Sequence, residues 1–250
     1  MNERGTKTNY EHQTPPKVVY GRSDTAWVDY GRRLHDIIEQ NRLRRVCEVG
    51  GGANPTLSET YVSKHDLDYT IVDVSPAELA KAPSGYRKVI ADICVPDTMP
   101  ERDFDLVFSK MVAEHIPDAR AFHINIHRLL VRGGFAFHFF PTLYAFPFLV
   151  NRILPERASA WVLNLISPRD REKDAKFPAF YRWCRGPTTR QLARFGRLDF
   201  VVLEYYGFFG HGYYAKLPPV AKLHSALTTF LVRHPRPHLT SYAHVLLRKT

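Results

Sequence analysis

Three acidic residues each close a short apolar run: Glu48 in RVCEVGGG, Asp73 in YTIVDVS and Asp92 in KVIADI. Gly50, Gly51 and Gly52 follow the first of them at once. A glycine bend between the carboxyl end of a strand and a helix lets backbone approach a ligand where a Cβ would clash. Carboxylates beside such a bend offer paired acceptor oxygens. The spacing argues against two familiar ligands. A dinucleotide fingerprint needs a third glycine where Pro55 stands, and no Gly-Lys-Ser/Thr follows to make a phosphate loop.

These acids must be positioned by strands, and the strands are readable. VCEVG, YTIVDVS (69–75), KVIADI (88–93) and FDLVFS (104–109) read as buried strands. FAFHFF (135–140), FVVLEYY (200–206) and YAHVLLRK (242–249) complete a set of seven. Helical segments lie between most of them. Ala26, Trp27, Tyr30, Leu34, Ile37 and Ile38 recur at helical spacing ahead of the first strand. Pro55–Lys64 and Pro76–Ala82 each begin near a proline, Asp118 can cap a helix over Ala119–Val131 that Gly133 stops, and another helix starts at Thr188. Alternation of this kind predicts an α/β fold with a mostly parallel sheet. In such sheets, ligands bind outside the carboxyl ends of the strands, where all three acids fall.

The first 20 residues, polar and carrying Pro15-Pro16, are expected to form a flexible arm, with one domain over 21–250. About sixty residues separate the fifth and sixth strands, which predicts an insertion at about 141–187. That insertion is apolar at first, then basic and aromatic. Charge follows the same division: residues 46–150 hold 9 Lys/Arg against 13 Asp/Glu, whereas residues 151–197 hold 11 against 4. The net charge of +10 is therefore concentrated outside the region of the acids, which suits a cationic ligand there and an anionic one at the insertion. The three cysteines, Cys47, Cys94 and Cys184, are widely spaced and read as reduced thiols. A charged N-terminus lacks the apolar segment of a secretory signal, and Pro141 and Pro147 interrupt the longest charge-free run, so a cytoplasmic protein is expected.

Glu48-x-Gly50-x-Gly52, with Asp73 and Asp92 ending the next two strands, resembles the class I S-adenosylmethionine-dependent methyltransferases, particularly the UbiE-like or methyltransferase-11 group. FDLVFSKMVAEHIPD is similar to that family's fourth-strand segment and LLVRGGFAFHFF to its fifth, so the resemblance spans about residues 25–145. It implies a Rossmann-like seven-stranded sheet of order 3-2-1-4-5-7-6, the last strand antiparallel, with helices on both faces. It also implies S-adenosylmethionine as methyl donor and S-adenosylhomocysteine as product. By the same resemblance Glu48 helps bind the donor's amino group, directly or through water, with Gly50 and Gly52 forming the bend. Asp73 accepts from the ribose hydroxyls, Val74 packs near the adenine, Asp92 accepts from the adenine amino group and Ile93 offers backbone N–H to the ring. Ser109 and Met111 line the methionine side.

Methyl transfer from a sulfonium is an in-line displacement, so the enzyme chiefly positions the nucleophile and excludes water. A hydroxyl acceptor needs a base, and histidine titrates in the useful range. His115, just past the fourth strand, is the first candidate, with His138 and His211 behind it. A packing role for His115 is the competing reading. His123 and His127, four apart, have metal-ligand spacing but no third ligand, so they are expected on a partly exposed helix face and no metal is assigned. SKMV stands where the amino-methylating nucleic-acid enzymes carry Asn/Asp-Pro-Pro-Tyr/Phe.

Variable segments at the carboxyl face determine what a shared fold acts upon. Arg169, Arg171, Lys173, Lys176, Arg182 and Arg185 could meet phosphate or carboxylate groups, with Tyr181 and Trp183 as stacking surfaces. RNA would fit these side chains too, but the acidic core and the absence of a recognised RNA-binding module favour a small molecule or a lipid-linked or phosphorylated glycan, with oxygen the preferred target atom. Phe146–Ile153, Ala158–Ile166 and Leu217–Val232 are apolar enough to rest on a membrane surface or to pack on the sheet. The alternatives are a non-catalytic methyltransferase-like binding or scaffold protein and an RNA methyltransferase.

Overall fold

The computed structural model describes residues 15–99, 103–143, 178–215 and 217–250. These form an eight-stranded sheet flanked by helices. In chain order the elements are β1 (Lys17–Arg22), α1 (Ala26–Gln40), β2 (Arg45–Val49), α2 (Glu59–Lys64), β3 (Asp68–Asp73) and α3 (Pro76–Lys81). Next come β4 (Arg87–Ile90), β5 (Phe104–Lys110), α4 (Ala119–Leu129) and β6 (Leu130–Pro141). Last are α5 (Thr189–Gly196), β7 (Phe200–Phe209), α6 (Pro218–Arg233) and β8 (Tyr242–Lys249). The sheet order is β4-β3-β2-β5-β6-β8-β7-β1; β8 runs antiparallel to both neighbours and every other pairing is parallel.

The seven predicted strands, β2 to β8, thus stand in the predicted order. The eighth is a correction. Lys17–Arg22 pairs with β7 along Lys17↔Glu204 to Arg22↔Phe209, so the expected arm is strand from Lys17 onward. The physical reason lies in KVVYGR: β-branched and aromatic residues follow the two prolines, and β7 presents an otherwise unpaired edge. Residues 1–14 of the expected arm, and 144–177 of the expected insertion, lie outside the described residues.

Local chemistry sets the helix ends. Ser58, Ser75 and Thr188 accept from the backbone N–H of Tyr61, Glu78 and Gln191, and Asp118 accepts from Arg120 and Ala121. Helix α4 ends at Leu129 rather than Val131, because Leu130 already pairs with Phe104 in the sheet. A single 3-10 turn, Pro96–Thr98, occupies the described part of the short connection between β4 and β5.

Two layers cover the sheet. Tyr30 of α1 stacks on Phe137 and Phe139, while Phe122 of α4 meets His138; alternation along β6 puts these contacts on opposite faces. Arg33 donates twice to Glu204, at 2.8 and 2.6 Å, fixing α1 to β7. Among the described residues no helix is long and apolar enough to cross a membrane.

Candidate active site

At the carboxyl ends of β2 to β5 lies a cleft of about 330 Å³. Its walls include Gly50 from the glycine bend, Asp73 and Val74 from the tip of β3, and Asp92 and Ile93 just beyond β4. Met111 and His115 close the side after β5, with Pro178 beside His115. Seven of the ten residues singled out from sequence therefore share one cavity.

The bend owes its shape to its glycines. Gly50 has φ +76°, and a Cβ there would run into the side chain of Val112. Gly52 has φ +39°, and its Cβ would lie 3.0 Å from Asp73 Oδ2. Both positions need a residue without a side chain. Asp73 Oδ1 accepts the N–H of Ser75 at 2.9 Å. Burial pushes the Asp73 carboxyl up from its ordinary value, opposed by backbone N–H groups of Ser75, Gly52 and Val74. Asp92 is exposed and accepts the N–H of Cys94 at 2.8 Å, while Thr98 Oγ1 receives its own N–H at 3.2 Å. Asp92 does not end β4, which stops at Ile90, but sits in the following turn.

Three predicted residues are not brought to the cleft wall. Glu48 is almost fully buried, and its carboxylate faces the core side of the bend. Thr56 donates to it twice, N–H to Oε2 at 2.9 Å and Oγ1 to Oε1 at 2.6 Å, and the hydroxyl of Tyr69 donates to Oε2. The acid expected to help bind the donor's amino group, directly or through water, holds the bend. Desolvation raises its pKa against the pull of those donors. Gly52 shapes Asp73 from behind. Ser109 is fully buried and its Oγ is 2.8 Å from His138 Nδ1, because alternation along β5 turns this side chain into the core.

Other expectations also changed. His123 is buried rather than partly exposed: it bonds the carbonyl of Ala119 and stacks on Trp183 at 5.3 Å. That contact, with Arg194 over the Trp183 ring, engages one of the two side chains expected to offer a stacking surface. The other, Tyr181, is buried. Arg185 donates to the carbonyls of Tyr181 and Cys184. Arg169, Arg171, Lys173 and Lys176 lie outside the described residues. Among the described residues no group of three side chains could hold a metal ion.

Sequence reasoning missed four contributors. Thr56 and Tyr69 anchor Glu48; the parallel register Glu48↔Ile71 puts Tyr69 on Glu48's face, a signal available once the strands are paired. Asn125 donates to the carbonyl of Ile93 at 2.7 Å and pins the adjacent wall. Glu114 is buried, with its Oε2 lacking a hydrogen-bond partner among the described residues, and desolvation pushes its carboxyl up to about 8. Nothing periodic marks it, because it lies in a single 3-10 turn.

The cleft pairs two acceptor carboxylates with apolar walls and a bend without side chains, at the topological position where open α/β sheets bind ligands. Residues 47–138 match the family model described as a methyltransferase domain. An S-adenosylmethionine-dependent methyltransferase from Clostridium acetobutylicum is similar in fold, with 11% identity, TM-score 0.55 and coverage of 91% of this chain and 93% of that one. Another, from Mesorhizobium loti, is 18% identical with TM-score 0.53, covering 83% of this chain and 91% of that one. A third, from Archaeoglobus fulgidus, is 13% identical with TM-score 0.51, covering 88% and 92%. No curated protein matches the chain.

Fold and family match together define an α/β enzyme of the Rossmann-like methyl-transfer class. Residues 47–138 thus match a methyltransferase domain, and the solved structures that share the fold are S-adenosylmethionine-dependent methyltransferases. The residues present fit that donor: Asp73 at the tip of β3 and Asp92 in the turn after β4 provide acceptors, Val74 and Ile93 provide an apolar slot, and Gly50 leaves room that a Cβ would fill.

Proposed function

We propose that the chain methylates an oxygen of a small-molecule, lipid-linked or phosphorylated-glycan acceptor by direct in-line transfer, with His115 taking the proton. One observation carries this reading. His115 Nδ1 lies 2.9 Å from the carbonyl oxygen of Pro178, an atom that can only accept. Nδ1 therefore carries the hydrogen in the neutral ring, which puts the basic lone pair on Nε2 of a residue that lines the donor cleft, 3.8 Å from Glu114 Oε1.

S-adenosylmethionine, when bound, supplies a methyl group on a positively charged sulfur. Asp73 would accept from the ribose hydroxyls and Asp92 from the adenine amino group, with Val74 and Ile93 against the ring. Met111 borders the methionine side. Glu48 acts at one remove, holding the bend that carries Gly50. His115 Nε2 would take the acceptor hydroxyl's proton as the O–C bond forms and the S–C bond breaks with S-adenosylhomocysteine leaving, while Nδ1–H stays on the Pro178 carbonyl and keeps the ring in place.

The test is turnover of the wild type and of His115→Asn with S-adenosylmethionine across oxygen and nitrogen acceptors. The variant should lose about 10²- to 10⁴-fold in turnover on oxygen acceptors and keep its donor affinity by calorimetry. Undiminished turnover rejects His115 as base. Product on nitrogen acceptors alone rejects oxygen, and RNA binding that falls steeply with salt favours an RNA acceptor.

A further inference from the structure

Helix α6 is built the wrong way round for a helix packed on a sheet. Of its sixteen residues only Thr228 and Leu231 are buried. Val220, Leu223, Leu227 and Phe230, spaced three, four and three apart, form one stripe on the solvent side, with Leu223 73% and Phe230 57% exposed. Leu217 before the helix and Leu239 after it, each about half exposed, extend the same apolar surface. The helix is nonetheless firmly attached: Arg22 of β1 donates to Thr229 Oγ1 at 3.1 Å and to Ser225 Oγ at 3.4 Å. A cleft of about 330 Å³ runs along the stripe, lined by Val220, Leu223 and Leu227 with Thr228 and Leu231.

Charge says what this surface suits. Glu204 is the last acidic residue of the chain, and residues 205–250 contain Lys216, Lys222, Arg233, Arg236, Arg248 and Lys249 with no Asp or Glu. Lys222 and Arg233, eleven residues apart, share one flank of the stripe, and exposed Arg236 follows at the helix end. The neighbouring acid Asp24 is paired with Arg22 at 3.3 Å. Exposed leucines and a phenylalanine flanked by Lys222 and Arg233 match an interface with anionic lipid, where apolar side chains enter the acyl boundary and Lys and Arg meet headgroups. Trp27, 45% exposed on the first turn of α1, borders the adjoining cleft with Gly210 and His211, a place suited to an interfacial tryptophan.

We propose that the α6 face docks the enzyme on the surface of an anionic bilayer, lying on it without spanning it. This goes beyond the catalytic reading and does not depend on which atom is methylated. It has a consequence for access. β7 enters the α6 connection, and β8 leaves it, at the carboxyl edge of the sheet, the edge that also carries the donor cleft. Docking would thus hold that edge close to the lipid surface.

The experiment is co-sedimentation of the full chain with vesicles of phosphatidylcholine alone and of an equimolar phosphatidylcholine–phosphatidylglycerol mixture. Binding to the anionic vesicles should be stronger by at least about tenfold. Leu223→Ser with Leu227→Ser should weaken it by at least about tenfold, and K222E with R233E should bring the two vesicle types close to equal. All four side chains are exposed, so unfolding is not expected, and thermal unfolding of each variant checks this. Sedimentation with neither vesicle, or equally with both, overturns the proposal. So does a concentration-dependent dimer dissolved by the leucine variant, which would assign the face to a second copy of the chain.

Discussion

Thr56 grips Glu48 with two hydrogen bonds, its N–H on one carboxylate oxygen at 2.9 Å and its hydroxyl on the other at 2.6 Å. The pair closes the loop that starts at Gly50, and the Tyr69 hydroxyl locks it from β3. A buried carboxylate so held is strongly coupled to its donors, and removing one leaves charge without compensation. Tyr69→Phe should lower stability by about 1–3 kcal/mol in chemical denaturation and also weaken S-adenosylmethionine binding, because the bend is loosened. An unchanged unfolding midpoint would show that the bend does not depend on this bond.

Asp73 should behave differently. It is half-buried at the cleft wall, so its loss falls mainly on the ligand. Asp73→Asn should weaken donor binding by about tenfold or more in calorimetry, since one acceptor oxygen becomes a donor facing the ribose hydroxyls. Its unfolding midpoint should move much less than that of the Tyr69 variant. Equal donor affinity in wild type and Asp73→Asn would remove Asp73 from the ribose site.

The strand tips were legible because buried parallel strands read as apolar runs and each run here ends in an acid. Asp73, Asp92 and the bend could be placed on one sheet edge without coordinates. Glu48's direction could not, because it depends on which strand neighbour supplies Tyr69 across the sheet and on how the loop after β2 returns Thr56. Lys17–Arg22 was hidden by Pro15-Pro16, since six residues carry too little pattern to outweigh a turn signal. His123 was misjudged because its burial comes from Trp183 and Phe195, 60 or more residues away in the chain. Local periodicity carries no information about such partners.

Stability should pass through a maximum as pH varies. His123 is held down at about 4 and His244 at about 3, with burial as the main cause, and burial lowers His138 too. Unfolding returns these rings to ordinary values near 6.5, so the unfolded chain binds more protons below that pH and stability falls as the solution is acidified from about 6.5 toward 4. Glu114 acts in the opposite sense. Its carboxyl, raised by burial to about 8, binds a proton in the folded state that the unfolded state releases above about 4.5, so stability declines as pH rises through 8. Glu114→Gln should abolish that alkaline decline, worth up to a few kcal/mol, and leave the acid limb intact in denaturation curves measured across pH. A variant whose alkaline limb matches the wild type would show that Glu114 is already ionised in the folded protein.

Gly50→Ala separates two costs that coincide at the bend. The residue has φ +76°, a region costly for any side chain by about 1–2 kcal/mol, and its new Cβ would strike the Val112 side chain. Overpacking of that kind adds about 1–3 kcal/mol. Val112→Ala removes the second cost and not the first. Gly50→Ala in the Val112→Ala background should therefore cost less than in the wild type, with a coupling of about 1 kcal/mol or more in a double-mutant cycle. Donor affinity should follow the same pattern, partly restored in the double variant, because both residues line the cleft. Strict additivity of the two substitutions would mean that the bend moves away from Val112 when Gly50 gains a side chain, and that its conformation is set by the Thr56 and Tyr69 anchors alone.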